Sequence, residues 1–597
     1  MKFTKKEEIK IMNKKKMDIV NALYKKPYIN QRLLAEETGY SLGKVNQFLK
    51  ELQEDEYLDK QMSLTAKAFQ YIESSRPANA VILAAGFGMR MVPINTETPK
   101  GLLTVRGETL IERLIVQLQE AGIRMITIVV GFMKEAYEYL IDQYQVELCV
   151  NMEYAQKNNL HSLRLAADRI CDTYIVPCDI WCEKNPFRKT EMYSWYMVCD
   201  IMDDDSDVRV NRKEELVRTS SGGNQMIGIA YISREDAPLL CRRLKEMDER
   251  RQYDNCFWEE ALFEKDRMYL MARMISGSGV FEINTYEQLR ELDSRSGQLR
   301  TESMEVIAET FGVQQEEIRD ITVLKKGMTN RSFLFTCRDQ RYIMRIPGEG
   351  TERLINRREE YEVYQKIKDT GLCDDIFYLN PENGYKITAY FESVRVCDAQ
   401  DAEDVRRCME KLRGFHQMGL ETAHSFDIFG QIEFYESLWD GQPSCYRDYQ
   451  KTKEAVFQLK EYIDAQPIHR VLTHIDAVPD NFLFVRRGEE EEVRIIDWEY
   501  AGMQDPCVDI AMFAIYAMYN REETDRLIDL YYPAGCKRAC RLKIYCYVAA
   551  CGLLWSNWCE YKRQLGVEFG EYSLRQYRYA KEYSRIFQRE KEDGGRD

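Results

Sequence analysis

The stretch VILAAGFGMR, Val81 to Arg90, decides the fold of the middle of this chain. A short apolar run ends in two glycines one residue apart, and an arginine follows. The run has the length and composition of a buried strand, and the glycines mark the turn after it. Beyond it, β-type runs alternate with helical stretches: AVILAAG, LIERLIVQLQEAG, MITIVVGF and TYIVPCDI. That alternation predicts a parallel sheet with crossover helices. The glycine loop is not a P-loop, since no Gly-Lys-Ser/Thr follows. Nor is it the dinucleotide fingerprint, because Met91 stands where helix packing calls for glycine or alanine. What remains is a loop whose backbone N–H groups approach phosphates closely at two residues without a Cβ, Gly86 and Gly88. Arg90 is placed to reach the same anion, and ten residues on TPKG adds Lys100. Taken singly, these residues also read as an ordinary βα turn with two surface cations.

The pattern fades near Leu292. SSRPANA before it and DSRSGQLRTES after it read as linkers, which divide the 597 residues into segments 1–75, 79–292 and 303–597. Hydrophobic residues make up 45% and charged residues 31%, the balance of a folded globular chain. A net charge of −15 argues against a nucleic-acid coat or a general membrane binder, but not against small anionic substrates. The eighteen cysteines follow no zinc or disulfide spacing and read as reduced thiols of a cytoplasmic protein. The lysine-rich start lacks an apolar h-region. Runs such as IAMFAIYAMY are too short to span a bilayer, so no membrane insertion is expected. Assembly into a homo-oligomer is left open.

Residues 1–75 read as short helices. INQRLLAEETG is followed by a turn at Gly39-Tyr40 and by SLGKVNQFLKELQEDEYL, where Ser41 is a candidate N-cap and Val45, Phe48, Leu49 and Leu52 form an apolar stripe. MSLTAKAFQYIES reads as a strand leading into a helix. The order resembles a winged helix-turn-helix. Nine lysines between Lys2 and Lys26, against three acids, suit phosphate contacts on DNA. Lys44, Asn46, Gln47 and Lys50 are candidates to face a groove, although Glu51, Glu54, Asp55 and Glu56 follow at once. A protein-interaction module is the other reading.

LAAGFGMRM…TPKGLL resembles the signature of the nucleoside-triphosphate transferases. NNLHSL (Asn158 to Leu163), CDI and VFEINT are similar to the CTP:phosphocholine cytidylyltransferases among them. The resemblance covers residues 79–292. It implies a Rossmann-like nucleotidyltransferase in which Leu83, Ala85, Gly86 and Gly88 contact the nucleotide and Asn158 contacts the substrate. It also implies that Arg90 and Lys100 neutralise phosphates and that Asp179 ligates Mg²⁺. Where the family pattern has a second metal-binding aspartate, this chain has Asn284. Glu282, two residues earlier on the same strand, shares its face. Trp181, Trp195, Tyr196 and Trp258 are candidates to hold a quaternary ammonium by cation–π contact, with Glu259 as countercharge. Each of these aromatics also reads as core.

The third segment begins β-rich and ends helical. LTHIDAVPDNFLFV gives His474-x-Asp476 with Asn481 five residues on, and RIIDWEYA places Asp497 sixteen residues after that. This is the spacing of kinase-like phosphotransferases: Asp476 accepts the hydroxyl proton, and Asn481 and Asp497 hold Mg²⁺ against the ATP phosphates. The segment resembles choline kinase and the wider aminoglycoside phosphotransferases, which implies a bilobal kinase-like fold. In YIMRIPGEGTERLINRREE the resemblance maps the phosphate-contacting cation to Arg345 and its acidic partner to Glu360. It makes KKGMTNRSF, with Gly327, the flap, and it marks Asp497, Trp498, Glu499 and Asp509 in IDWEYAGMQDPCVDIA, with Trp498 and Glu499 as candidate substrate contacts. Trp555, Trp558 and Tyr561 lie on one helical face, as a core stripe or as an aromatic wall for a trimethylammonium group.

Together the resemblances imply a multidomain α/β and α+β chain. One site would phosphorylate choline with ATP, and the other would couple phosphocholine to CTP. Two alternatives stand beside this. One is a sugar-1-phosphate nucleotidyltransferase fused to another small-molecule kinase. The other is a DNA-binding regulator whose enzyme-like domains sense choline or nucleotide.

Overall fold

The computed structural model describes residues 14–593, apart from 221, 264–267, 269, 325–329, 349–353, 468, 489, 565, 566 and 568. The flap residues 325–329, with Gly327, and the lysines before residue 14 lie outside the described residues. The chain forms two compact units, residues 1–301 and 302–597.

In the first unit, β1 (Asn79–Ala84) is buried in all but its first residue. It lies at the interior of a seven-stranded sheet with β2 (Met125–Val130), β3 (Glu147–Val150), β4 (Thr173–Pro177), β5 (Trp195–Asp203), β6 (Gly223–Ile232) and β7 (Met271–Ile275), in the order β7-β5-β6-β4-β1-β2-β3. A strand buried on both faces has no polar alternation, which is why its sequence is a continuous apolar run. Period-two geometry deals its residues to two cores. Ala80, Ile82 and Ala84 pack with Ile111, Leu114 and Leu118 of the helix Leu110–Glu120, whereas Val81, Leu83 and Ala85 pack with Leu160 and Leu163 of the helix Asn159–Leu165. The sheet is mixed rather than wholly parallel, because β6 runs antiparallel to both β4 and β5. Its register shifts around Gly228, which takes φ +88°. A Cβ there would stand 2.8 Å from Pro177 Cγ, so glycine lets the strand bend over the end of β4.

Ahead of this sheet lie the helices Lys14–Lys25, Gln31–Thr38, Leu42–Glu54 and Ala66–Ser74. Val45, Phe48, Leu49 and Leu52 are buried, as their spacing predicts, while Lys44, Asn46, Gln47 and Lys50 are exposed. Ser41 occupies the N-cap position, but its side chain makes no cap hydrogen bond. The expected wing strand is reduced to one antiparallel bridge, Leu58 to Leu64. The helix Lys14–Lys25 is tied to the sheet domain through Asp18, which accepts from Tyr40 (2.6 Å) and from Tyr193 (2.9 Å).

The second unit opens with an antiparallel sheet of β8 (Arg319–Val323), β9 (Asn330–Cys337), β10 (Gln340–Pro347), β11 (Ile376–Leu379) and β12 (Lys386–Ala389), ordered β8-β9-β10-β12-β11. The helix Arg357–Ile367 follows β10. The rest is mainly helical around one large apolar core. The helix Arg538–Gln564 is buried without interruption from Leu542 to Leu554, as a core helix apolar on every side should be. Gly552 sets its approach to the helix Glu571–Asp593: a Cβ there would lie 2.8 Å from the Gln576 carbonyl oxygen.

Candidate active sites

At the C-terminal ends of β1 and β4, two cavities of about 560 and 370 Å³ meet, and Gly88, Lys100, Asn159, Pro177 and Asp179 line both. Open α/β sheets bind ligands at this edge, where helices diverge and backbone N–H groups are unpaired. The smaller cavity is lined by Leu83, Ala85, Gly86 and Asn158. The larger holds Arg90, Tyr196, Glu259, Glu282 and Asn284. Of the two loop glycines only Gly88 takes a left-handed φ, +60°. Gly86 is exposed, and a Cβ there would meet nothing within 4 Å. The glycine requirement is therefore conformational at Gly88 alone.

The Lys100 ammonium donates to Asp179 and, at 2.6 Å, to Asn284 Oδ1. The short strands Ile180–Cys182 and Val280–Glu282 pair antiparallel and carry these two oxygens to the same place. Asp179 Oδ1 is buried without a hydrogen-bond partner. Burial and the Asp179 charge raise the Glu282 pKa. Among the described residues no group of three His, Cys, Asp or Glu side chains is arranged to hold a metal. The donors present are nevertheless hard oxygens, one of them unsatisfied, which suits Mg²⁺ completed by substrate phosphates. Glu259 accepts from the Tyr196 hydroxyl at 3.0 Å, its Oε2 is buried without a partner, and burial pushes its pKa up to about 7.

The structure places three expected aromatics away from these walls. Trp258 is buried against Tyr196, because its neighbours Phe257 and Glu259 face the cavity and it turns inward. Trp195 is buried under the Arg273 guanidinium, 3.5 Å from the ring centroid, and its strand neighbour Tyr196 takes the opposite, cavity-facing side. Trp181 is buried with the guanidiniums of Arg106 and Arg113 each 4.7 Å from its ring. The aromatics lining the larger cavity are Tyr196, Phe257 and Phe263, and the smaller is lined by Phe87, Tyr137 and Tyr154. Phe257 sits in irregular backbone and Phe263 ends the one-turn helix Glu260–Phe263, so no periodicity marks either.

In the second unit the strands Val471–Thr473 and Gly502–Gln504 pair and lead into the catalytic-loop region. The buried Asp509 carboxylate accepts from the backbone N–H groups of His474 (2.8 Å) and Ile475 (2.7 Å), while His416 Nε2 lies 2.9 Å away. This anchor holds Ile475 at φ +68°, a conformation a β-branched residue rarely adopts. Asn481 donates to Asp476 Oδ2 at 3.0 Å. The Asn481 carbonyl accepts from Ile496 N–H (2.9 Å), and the Ile496 carbonyl bonds His474 (2.8 Å), so the approach to Asp497 is laced to the loop. Burial, then the charges of Asp497 and Glu499, push the Asp476 pKa up to about 7.

Arg345 makes a two-pronged pair with Glu360 (2.6 and 2.9 Å) and donates to the Gly384 carbonyl (3.1 Å). Glu499 is held by Arg357 and Asn330, each at 3.3 Å. Trp498 is fully buried, its N–H bonded to the Ile495 carbonyl and its ring on His474 and Phe415. It is a core anchor rather than a pocket wall. Trp558 is buried against Phe569. Tyr561 lies at the margin of the core. Trp555 is half-buried and meets Tyr500 edge-on at 6.0 Å. Tyr435, Tyr500, Tyr516 and Tyr572 stand within electrostatic reach of Asp476, and sequence reasoning missed all four. Only Tyr500, next to Glu499, carried a positional signal.

Comparison with known proteins accounts for most of the chain. Residues 12–59 match the winged helix-turn-helix DNA-binding family, 80–186 the MobA-like NTP transferase domain, and 321–532 choline/ethanolamine kinase. The choline-phosphate cytidylyltransferase of Streptococcus pneumoniae is 28% identical over 228 residues, 36% of this chain and 96% of that protein. Protein LicA of Haemophilus influenzae is 28% identical over 263 residues, 42% of this chain and 95% of that protein. The 2-aminoethylphosphonate cytidylyltransferase of Lancefieldella rimae is 32% identical over 198 residues, 32% of this chain and 80% of that protein. With that coverage at its centre and the kinase and helix-turn-helix matches on either side, the chain belongs to the cytidylyltransferases of the MobA-like NTP transferase class, joined on one polypeptide to a choline/ethanolamine kinase domain and preceded by a winged helix-turn-helix.

Proposed function

We propose that the second unit phosphorylates choline with ATP and that the central domain couples the resulting phosphocholine to CTP, giving CDP-choline and pyrophosphate. The observation that carries this is the presence on one chain of two complete polar constellations, Lys100–Asp179–Asn284 and Asp476–Asn481–Asp497. The product of the second is the acceptor for the first.

In the kinase, Asp476 accepts the hydroxyl proton as the choline oxygen bonds to the γ-phosphorus and the bridging β–γ oxygen leaves with ADP. Its raised pKa suits a base working near neutrality. Trp555 and Tyr500 offer aromatic surface to the trimethylammonium group. In the transferase, a phosphocholine oxygen bonds to the α-phosphorus of CTP and the α–β bridging oxygen leaves with pyrophosphate. Lys100 and Arg90 offset the charge that gathers on the phosphates. Glu259, with Tyr196 beside it, faces the cationic end of the acceptor.

Mg²⁺ would be held by Asp179 and Asn284 with Glu282 alongside, and by Asn481 and Asp497 in the kinase. Bound there, it neutralises phosphate charge. The exposed Lys44, Asn46, Gln47 and Lys50 support DNA contact by the helix Leu42–Glu54. The free state of all eighteen cysteines fits a reducing cytoplasm. Among the described residues no helix is long and apolar enough to cross a membrane.

The test is to incubate the whole protein with ATP, CTP, Mg²⁺ and a panel of amine alcohols and to identify products by mass. CDP-choline formed only when both nucleotides are present supports the reading. Transfer to a sugar phosphate, or no transfer, overturns it.

A further inference from the structure

Four side chains beside the kinase site form a nearly dry ring. Arg345, Glu360, Arg357 and Glu499 are each exposed by 8% or less of their side-chain surface. Arg357 Nη1 donates to Glu360 Oε2 (2.8 Å) and to Glu499 Oε2 (3.3 Å), and Arg345 stands 3.9 Å from Glu499. Arg357 Nη2 donates to Asn330 Oδ1 (3.3 Å), and the Asn330 amide donates back to Glu499 (3.3 Å). The ring thus joins β9, β10, the helix Arg357–Ile367 and the segment after Asp497. The backbone is shaped around it. Gly384 takes φ +71°, a Cβ there would lie 2.8 Å from Arg357 Cδ and Nε and from Pro347 Cγ, and its carbonyl accepts from Arg345. A lone pair of Arg345 and Glu360 would not need Arg357.

We propose that Arg357 is a positioning residue of the kinase reaction. It fixes Glu499, and through the two peptide bonds between them the Asp497 carboxylate, in register with the Arg345–Glu360 pair, so that a nucleoside triphosphate meets a site already assembled. The inference rests on the kinase reading above. A guanidinium suits the task because its planar fork serves two carboxylates and an amide at once. An ammonium supplies the charge but not the fixed directions. Two buried glutamates also need two buried cations, since an unpaired charge in such a place is strongly destabilising.

The test compares R357M, R357K, E499Q and R357M/E499Q in the full chain, following kinase kcat, ATP and choline KM, calorimetric affinity for Mg·ADP and the unfolding temperature. Cytidylyl transfer by the same samples serves as a control. R357M should lower kcat roughly 10- to 100-fold and weaken Mg·ADP binding, with choline KM moving less than about twofold. R357K should recover stability but only part of kcat. Because Arg357 acts through Glu499, the double variant should turn over no more slowly than E499Q alone. The proposal falls if R357M keeps wild-type kcat and Mg·ADP affinity. It also falls if R357M/E499Q recovers stability and turnover together, which a packing role predicts, or if the two single effects multiply. A wild type that binds Mg·ADP yet phosphorylates no amine alcohol overturns the substrate reading instead, while the effect of R357M on Mg·ADP affinity still decides the role of Arg357.

Discussion

Lys100 sits where the two cavities of the central domain meet, with its ammonium between the Asp179 carboxylate and the Asn284 amide oxygen. On the proposed reading, a fixed cation there would face both triphosphate and acceptor phosphate. Lys100→Ala should therefore lower cytidylyl transfer about 10²- to 10³-fold, as loss of one charge-stabilising donor does elsewhere, and leave choline phosphorylation near wild type. Steady-state assays of both reactions on one preparation check this. Glu259 gives a pH signature. Its folded pKa of about 7 lies above the roughly 4.3 of an unfolded glutamate, so the folded state holds the proton more tightly. That contribution to stability is full below the unfolded value and is lost as pH rises through 7. Glu259→Gln, which mimics the protonated acid, should match wild type near pH 4.5 and exceed it by about 1–3 kcal/mol at pH 8. Denaturant midpoints at the two pH values measure the difference, and equal offsets at both would contradict it.

At the scale of elements, the helix Arg538–Gln564 carries one periodic stripe into two different environments. Trp555 and Trp558 share a face, but Trp558 is packed into the core against Phe569 whereas Trp555 stays half-buried beside Tyr500. The two substitutions should therefore separate. Trp558→Ala should cost about 3–5 kcal/mol of stability through the cavity it leaves. Trp555→Ala should raise the choline KM several-fold with ATP KM nearly unchanged, since an aromatic contact with a quaternary ammonium is worth about 0.5–2 kcal/mol. Thermal unfolding and KM determinations distinguish these outcomes. Unchanged choline KM in Trp555→Ala would reduce the whole stripe to packing.

At the scale of the molecule, each candidate constellation lies within one compact unit. Asp476→Asn should lower ATP-dependent CDP-choline synthesis by about 10²- to 10⁴-fold while synthesis from supplied phosphocholine persists. Loss of both in a folded protein would mean that the two sites are not independent. Two units with their own cores should also unfold in two transitions rather than one. Calorimetry on wild type and on Trp558→Ala should show only the second unit's transition moving.

The linear chain determined the local and periodic features. The apolar run of β1, the stripe Val45, Phe48, Leu49 and Leu52, and the motif His474-x-Asp476 with Asn481 depend on neighbours within a few residues; the fold buries the first two and joins Asn481 to Asp476 by a hydrogen bond. Tertiary structure decided what depends on direction and on distant partners. Sequence spacing could not show that Trp258 turns inward while Phe257 and Glu259 face the cavity, because irregular backbone has no period to read. Nor could it show that β6 runs antiparallel, that four tyrosines gather near Asp476, or that Asn330, Arg357, Gly384 and Glu499 meet in one ring. Such convergence comes from burying apolar surface across the whole unit, which brings together segments more than a hundred residues apart and leaves their polar groups to satisfy one another.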